Sequence, residues 1–185
     1  MIQSILLLAA AGGACAGAAP APLRAFIPNS LLRQGEVRVV ETPAAVTLQT
    51  ILYTRFPGRV IETICGKEEK SWPPGSACRE DSQAYCRALR AVPRLIEEGG
   101  RGGAYRWMIE FSAGPAAARV EFSEIAASGP REDLSIERAR SLPAPAVSEA
   151  YIRKNMALIL LDMFGAAADH EPAIARILRR LEEAK

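Results

Sequence analysis

YRWMIEF, residues 105–111, is the stretch that decides the fold of this chain. Its odd-numbered positions are aromatic or aliphatic, whereas Arg106 and Glu110 place charges on the even-numbered side. Successive side chains of a strand point to opposite faces of the sheet, so this alternation predicts a strand with one face on the core. A strand of this kind is typical of an antiparallel sheet whose other face is solvated.

The next segment, ARVEFSEI from Ala118 onward, is predicted to return as the hairpin partner of that strand. A short turn between the two strands pairs Glu110 with Arg119 and Trp107 with Phe122. A shift by two residues would set Glu110 opposite another glutamate, and like charges directly opposite each other are destabilising. The charges therefore predict the register of the hairpin.

Three earlier segments also predict strands. Residues 46–54 (VTLQTILYT) are rich in β-branched side chains, and residues 36–40 form a shorter candidate. Pro57-Gly58 suits the centre of a type II turn. Residues 59–65 (RVIETIC) are therefore predicted to return as a strand that ends at Cys65.

The pattern becomes helical from about residue 81, and Pro93 ends or kinks that helix because proline has no N–H to donate. Near the C terminus, Ser148 is predicted to cap a helix that ends at Gly165. Asp169 is predicted to cap a last helix that packs on the sheet or on the neighbouring helix. Its apolar stripe consists of Ile174, Ile177, Leu178 and Leu181.

Together these elements predict an α+β fold: an antiparallel sheet of four to five strands around a β-β-α-β core, with two C-terminal helices. We expect residues 1–18 to be a signal peptide and residues 33–128 to form the α+β domain. Residues 129–185 are expected to supply a spacer, with SLPAPA at 141–146 extended, and a helical pair packed on the same domain.

The first residues of the chain indicate export. No charged side chain precedes Arg24, and a short apolar run is followed by small residues, which is typical of a signal cleaved near Ala16 or Ala18. The run is too short to cross a bilayer, so no membrane span is expected in the mature chain. The mature protein is expected to be periplasmic or secreted, and lipidation of Cys15 is the alternative to simple cleavage.

Three of the four cysteines lie in CGKEEKSWPPGSACREDSQAYC, residues 65–86. Their spacing lacks the close CxxC pairs of zinc and thioredoxin-like sites, and the single histidine, His170, is far away in the sequence. No metal, cofactor or catalytic residue is therefore predicted. A disulfide is predicted instead, between Cys65 and Cys86, with Cys65–Cys78 as the runner-up.

Such a disulfide would close the loop that contains Trp72, Pro73 and Pro74. The indole ring is predicted either to be exposed, where it could bind a partner, or to fold down onto the sheet. The first orientation makes Trp72, Pro73 and Pro74 the candidate partner-binding residues.

Charge and motifs exclude several classes of function. A net charge of +2, from 23 basic and 21 acidic residues, does not favour nucleic-acid binding. The G-x-S-x-G motif of serine hydrolases is absent, and the glycine-rich stretch at 99–103 follows a helix and precedes a strand, unlike a phosphate-binding loop. Adjacent carboxylates such as Glu68 and Glu69 are interpreted as solvated charge. A small secreted hydrolase that uses carboxylates is kept as an alternative.

Residues 45–112 resemble the C-terminal domains of the TonB and TolA energy-transduction proteins. The resemblance lies in FPGRV at 56–60, in Cys65, in DSQAYCRAL at 81–89 and in YRW at 105–107. It implies a periplasmic protein-interaction domain without the membrane anchor and proline-rich linker of those proteins, and hence no energy transduction.

The leading expectation is therefore a non-catalytic protein that binds another cell-envelope protein. Binding would use strand addition to an exposed sheet edge or the loop at Trp72, Pro73 and Pro74. A periplasmic inhibitor or ligand carrier is a further alternative, which an apolar pocket between the sheet and the helices would support.

Overall fold

The computed structural model of the chain describes residues 22–27, 29–92, 104–125, 136–142, 145–165 and 171–183. These residues form six strands and four helices. The strands are β1 (Leu23–Phe26), β2 (Leu32–Glu41), β3 (Val46–Thr54), β4 (Ala104–Ala113), β5 (Ala117–Ile125) and β6 (Ile136–Leu142). The helices are α1 (Pro57–Ser71), α2 (Ala77–Arg90), α3 (Glu149–Phe164) and α4 (Pro172–Glu182).

The sheet is an antiparallel meander in which each strand pairs with its neighbours in the sequence, in the order β1-β2-β3-β4-β5-β6. Helices α1 and α2 are inserted between β3 and β4, and α3 and α4 follow the last strand. The predicted α+β class, with an antiparallel sheet and two C-terminal helices, is confirmed. Neither edge strand had been predicted: β1 extends the sheet ahead of residue 33, and β6 lies within the predicted spacer, so the sheet has six strands instead of four to five.

The register of the β4–β5 hairpin is the one that the charges predict. Glu110 lies opposite Arg119, and Trp107 lies opposite Phe122. The odd-numbered residues of β4 are all buried, as the alternation of the sequence requires. The hairpin was therefore readable from side-chain pairing alone.

The predicted strand at residues 59–65 is wrong, because this segment belongs to helix α1. Pro57 occupies the first turn, where its fixed φ suits a helix and its missing N–H leaves no hydrogen bond unmade. Gly58 does not adopt the positive φ that a type II turn requires. The buried residues of α1 recur with helical spacing at Val60, Ile61, Cys65 and Glu68.

Two other element boundaries also differ from the expectation. Helix α2 begins at Ala77, earlier than residue 81, because the Ser76 hydroxyl accepts a hydrogen bond from the backbone N–H of Arg79 at 3.2 Å. Strand β6 includes Ser141 and Leu142, which the predicted spacer had placed in an extended linker.

The two C-terminal helices are confirmed. The Ser148 hydroxyl caps α3 by accepting from the N–H of Tyr151 at 3.2 Å, and Gly165 ends this helix. Helix α4 begins after Glu171, whereas the predicted cap, Asp169, lies outside the described residues. The predicted stripe of α4 packs inward, with Ile174, Ile177 and Leu181 buried and Leu178 partly buried.

The helices pack on one face of the sheet, where the core lies. Aromatic contacts join the layers: the Tyr85 ring of α2 and the Tyr151 ring of α3 lie 5.5 Å and 6.4 Å from the ring of Phe111 on β4. The other face of the sheet carries laterally paired polar side chains. An example is the 2.7 Å hydrogen bond from Gln49 to Glu110. The sheet thus has one face packed against the helices, while the other face carries polar pairs together with the buried side chain of Ile51.

Helix α4 is held at the turn between β2 and β3 by two arginines. The Arg176 guanidinium donates to Glu41 at 2.7 Å, and Arg180 donates to the carbonyl oxygens of Thr42 and Pro43 at 2.5 Å and 2.6 Å. The hydrogen bond from Arg176 holds the pKa of the Glu41 carboxyl below its usual value, against the opposing effect of burial.

We expect the Glu41→Gln substitution to lower the melting temperature by a few degrees at pH 7 and to have little effect at pH 3. The pKa of Glu41 is lower in the folded protein than in the unfolded chain. Its stabilisation is therefore present above the unfolded pKa and is lost as the pH falls through the folded one. Thermal melts at both pH values test this, with Glu182→Gln at the exposed end of α4 as the control. An equal loss at both pH values would contradict it.

Candidate functional site

A buried carboxylate lies between three helices. Glu68 of α1 is 9% exposed, and its Oε2 atom accepts three hydrogen bonds. The donors are the indole Nε1 of Trp72 at 3.2 Å, the hydroxyl of Ser82 at 3.3 Å and the hydroxyl of Tyr151 at 2.9 Å. The amide of Asn155 donates in turn to the Tyr151 hydroxyl at 3.2 Å. We call these five residues the Glu68 cluster.

Helical spacing explains how the cluster forms. Glu68 and Trp72 are four residues apart and share a face at the end of α1, and Tyr151 and Asn155 have the same relation on α3. Ser82 lies one turn into α2, on its buried side. The cluster therefore ties α1, α2 and α3 together at a single carboxylate oxygen.

Two buried phenols lie beside Glu68. Burial, and then the negative charge of Glu68, raise the pKa of Tyr85 and of Tyr151 above the usual value. Both hydroxyls therefore stay protonated at physiological pH. Tyr151 uses its proton to hydrogen-bond Glu68, whereas the Tyr85 hydroxyl makes no hydrogen bond within the part of the chain that the structure describes.

A cavity of about 470 Å³ opens next to this cluster. Its floor is the packed face of the sheet, and α1 and α3 form its walls. Val37, Thr50, Ile109 and Phe111, from three neighbouring strands, line the floor, and Glu68, Tyr85 and Asn155 line the wall. The cavity is therefore apolar over most of its surface. Its polar groups come from buried side chains such as Glu68 and from exposed ones such as Lys70 and Ser71.

The mouth of the cavity is spanned by an ion pair. Lys67 of α1 and Asp162 of α3 approach to 3.5 Å, and both side chains are largely exposed. Leu158 also lines the cavity and is 40% exposed. A second cavity of about 380 Å³ shares Lys67 and Asp162 with the first and extends to Phe26 on the edge strand β1. The two cavities are therefore neighbours along the seam between α1 and α3, with lining residues of both helices in common.

The structure brings Cys65 and Cys86 together as the predicted disulfide, with 5.6 Å between their Cα atoms. Its setting differs from the expectation, because Cys65 lies within a helix and the bond joins α1 to α2. Cys78, the runner-up partner, is a buried free thiol. The disulfide fixes α1 against α2 one turn before Glu68 and thereby holds Glu68 and Ser82 in register.

The loop that the disulfide closes does not present its tryptophan. Trp72 is 7% exposed, and its ring lies 5.6 Å from that of Tyr151. The prediction that Trp72 binds a partner is corrected accordingly, since its N–H is used by Glu68 and its ring belongs to the core. Pro73 and Pro74 are exposed.

Cys15, the possible lipidation site, and His170, the single histidine of the sequence, lie outside the described residues. Within the described ranges, no group of three His, Cys, Asp or Glu side chains is placed to hold a metal ion. In the same part of the chain, no helix is both long and apolar enough to cross a bilayer.

Sequence reasoning missed the Glu68 cluster because it placed residues 59–65 in a strand. Glu68 was interpreted as solvated charge next to Glu69, and the structure shows that this is wrong. A helical reading from Pro57 would have put Glu68, Cys65 and Trp72 on or near one buried face. Tyr151 and Asn155 gave no comparable signal, because their contact with Glu68 spans 83 residues of sequence.

No protein-family model matches the chain. Comparisons with curated proteins and with solved structures gave no significant match either.

Proposed function

We propose that the protein is a non-catalytic carrier that binds an apolar small molecule between the sheet and helices α1 and α3. The observation that carries this proposal is the cavity of about 470 Å³, which falls within the usual size range of small-molecule sites. Its lining also follows the usual composition of such sites, a mostly apolar surface with few polar groups.

The apolar floor supplies the driving force for binding. Burying a methylene group contributes about 0.8 kcal/mol, so a chain of about ten methylenes gains roughly 8 kcal/mol. Loss of ligand freedom offsets on the order of half of this gain or more. The net gain of about 4 kcal/mol or less corresponds to a dissociation constant in the millimolar range or weaker for a simple alkyl chain.

Titration with the uncharged fluorophore N-phenyl-1-naphthylamine tests the proposal. We expect its emission to rise and shift to the blue as it enters the cavity. Thr50→Phe places a ring in the floor and should weaken dye binding by about tenfold or more. The matched control is Thr47→Phe on the same strand, whose side chain faces the polar side of the sheet. Equal binding by both variants, or no binding by the native protein, would contradict the proposal.

We place the carrier in the periplasm or outside the cell. The signal expected at residues 1–18 and the Cys65–Cys86 disulfide support this location, because disulfides persist in oxidising compartments. Mass measurement of the mature protein from cells tests the location, since it reports both cleavage near Ala16 or Ala18 and any lipid on Cys15.

A second candidate function is binding of another cell-envelope protein, as the resemblance to the TonB and TolA domains implies. One observation favours it: β1 is an edge strand, and Phe26 at its end is 71% exposed. Edge strands accept an added strand from a partner. A pull-down from envelope extract with native protein and with Phe26→Ser tests this candidate, and recovery of the same proteins by both would count against it.

The carboxylate hydrolase is not proposed. Among the described residues, the carboxylates that line the larger cavity are Glu68 and Asp162. Asp162 lies at the exposed mouth and is paired with Lys67, so the two acids are not presented as a matched catalytic pair.

A further inference from the structure

Three acceptor atoms of residues in the cavity wall have no hydrogen-bond partner among the described residues, and none of the three is fully enclosed by protein. They are Oε1 of Glu68, the hydroxyl oxygen of Tyr85 and Oδ1 of Asn155. Tyr85 is 2% exposed and Asn155 is 3% exposed, and all three residues line the larger cavity. The wall therefore offers three acceptors that a ligand in the cavity can reach.

The charge nearest these acceptors is the negative charge of Glu68, whereas the lysines that line the cavity, Lys67 and Lys70, have exposed side chains. The hydrogen bonds to Glu68 come from the neutral groups of Trp72, Ser82 and Tyr151, all through Oε2. Within the described ranges, Glu68 has no basic side chain within ion-pair distance, and Lys67 is paired with Asp162 at the mouth instead. A cationic partner stabilises the charged form of a buried carboxylate, whereas the described residues supply Glu68 with hydrogen bonds only.

We propose that the ligand is a primary amine with an apolar tail, whose ammonium group binds Glu68, Tyr85 and Asn155. An ammonium group has three N–H donors and no acceptor, which matches three acceptors that include one charge. The tail lies over Val37, Thr50 and Ile109 and leads toward Leu158 at the mouth. A fatty acid is disfavoured, because its carboxylate would face that of Glu68.

This inference rests on the proposed carrier function and names the class of its ligand. Its test uses dodecylamine, dodecanol and dodecanoic acid, three probes with the same chain and different head groups, below their micellar concentrations. Each probe competes at pH 7 with the dye bound to the native protein. We expect the amine to displace the dye at a concentration lower than that of the acid by at least about tenfold, with the alcohol between them.

Two substitutions test whether Glu68 and Tyr85 cause the preference for the amine. Glu68→Gln should reduce the affinity for the amine by at least about tenfold and change the affinity for the alcohol little. The matched control is Glu69→Gln, the next residue, whose carboxylate pairs with Arg90 on the surface. Tyr85→Phe removes a hydroxyl that bonds nothing in the described protein, so it should fold normally and weaken amine binding by several fold. Circular dichroism verifies the fold of each variant.

The outcomes distinguish a failure of the amine inference from a failure of the proposed carrier function. If the dye and all three probes fail to bind, the carrier function itself is overturned. If the probes bind with equal affinity, or the acid binds best, the carrier function stands and the amine inference is overturned. If Glu68→Gln does not fold, an unchanged amine preference in Tyr85→Phe overturns the inference and a reduced preference supports it.

Discussion

Loss of the Cys65–Cys86 disulfide is expected to lower the free energy of unfolding by about 3 kcal/mol, the value of the chain-entropy model for a loop of this length. The two cysteines are 21 residues apart, and the loop between them contains the end of α1 and the start of α2. Without the bond, the unfolded chain gains freedom that the folded helix pair does not. We expect a melting temperature lower by roughly 6 to 12 °C.

Thermal melts with and without reductant measure this effect in the Cys78→Ala background, which removes the free thiol that could exchange with the bond. The double variant Cys65→Ala/Cys86→Ala in the same background is the control, since reductant should leave its melting temperature unchanged. A reductant-induced shift of less than about 2 °C in the protein that retains both cysteines would show that the bond contributes little.

Substitution of Gly114 by alanine is expected to destabilise the protein by about 3 kcal/mol, through strain and overpacking together. Gly114 lies in the β4–β5 turn with φ +145°, which L side chains rarely adopt. A Cβ atom there would lie 2.5 Å from the carbonyl oxygen of Ala44 and 2.8 Å from Cα of Ala45. Both atoms belong to the backbone of the neighbouring β2–β3 turn, so neither can rotate away.

Gly75→Ala provides the control for Gly114→Ala. Gly75 also has a positive φ, +77°, but a Cβ atom there would meet nothing within 4 Å. It should therefore cost about 1 kcal/mol, from backbone strain alone. Urea unfolding of both variants measures the difference. If the two variants lose equal stability, the close packing of the two turns contributes nothing measurable.

The parts of the sheet that could be predicted are those determined by residues close together in the sequence. The alternation in β4 and the charges of Glu110 and Arg119 determine a register within a single hairpin, and both lie within ten residues of each other. The caps Ser148 and Gly165 are equally local, and they mark the ends of α3 correctly. These elements follow from neighbours in sequence.

Local sequence patterns gave the wrong secondary structure for residues 59–65. Their β-branched side chains favour a strand, whereas burial of Val60, Ile61 and Cys65 against the core favours a helix, and tertiary packing decides between the two. The cysteine pairing was nevertheless predicted correctly. Cys78 and Cys86 lie on one helix and are too far apart along it to form a disulfide, so Cys65 is the partner. The candidate site was missed because Glu68 lies on the helix that was predicted as a strand at residues 59–65.

The two walls of the cavity come from helices that are far apart in the sequence: α1 spans Pro57–Ser71 and α3 spans Glu149–Phe164. During translation, α1, α2 and most of the sheet leave the ribosome well before α3. A nascent chain that ends before residue 149 has the residues of the cavity floor, yet it lacks the second wall and the Tyr151 hydroxyl that donates a hydrogen bond to Glu68. The nascent protein can therefore acquire a complete binding site only after its C-terminal helices have been synthesised.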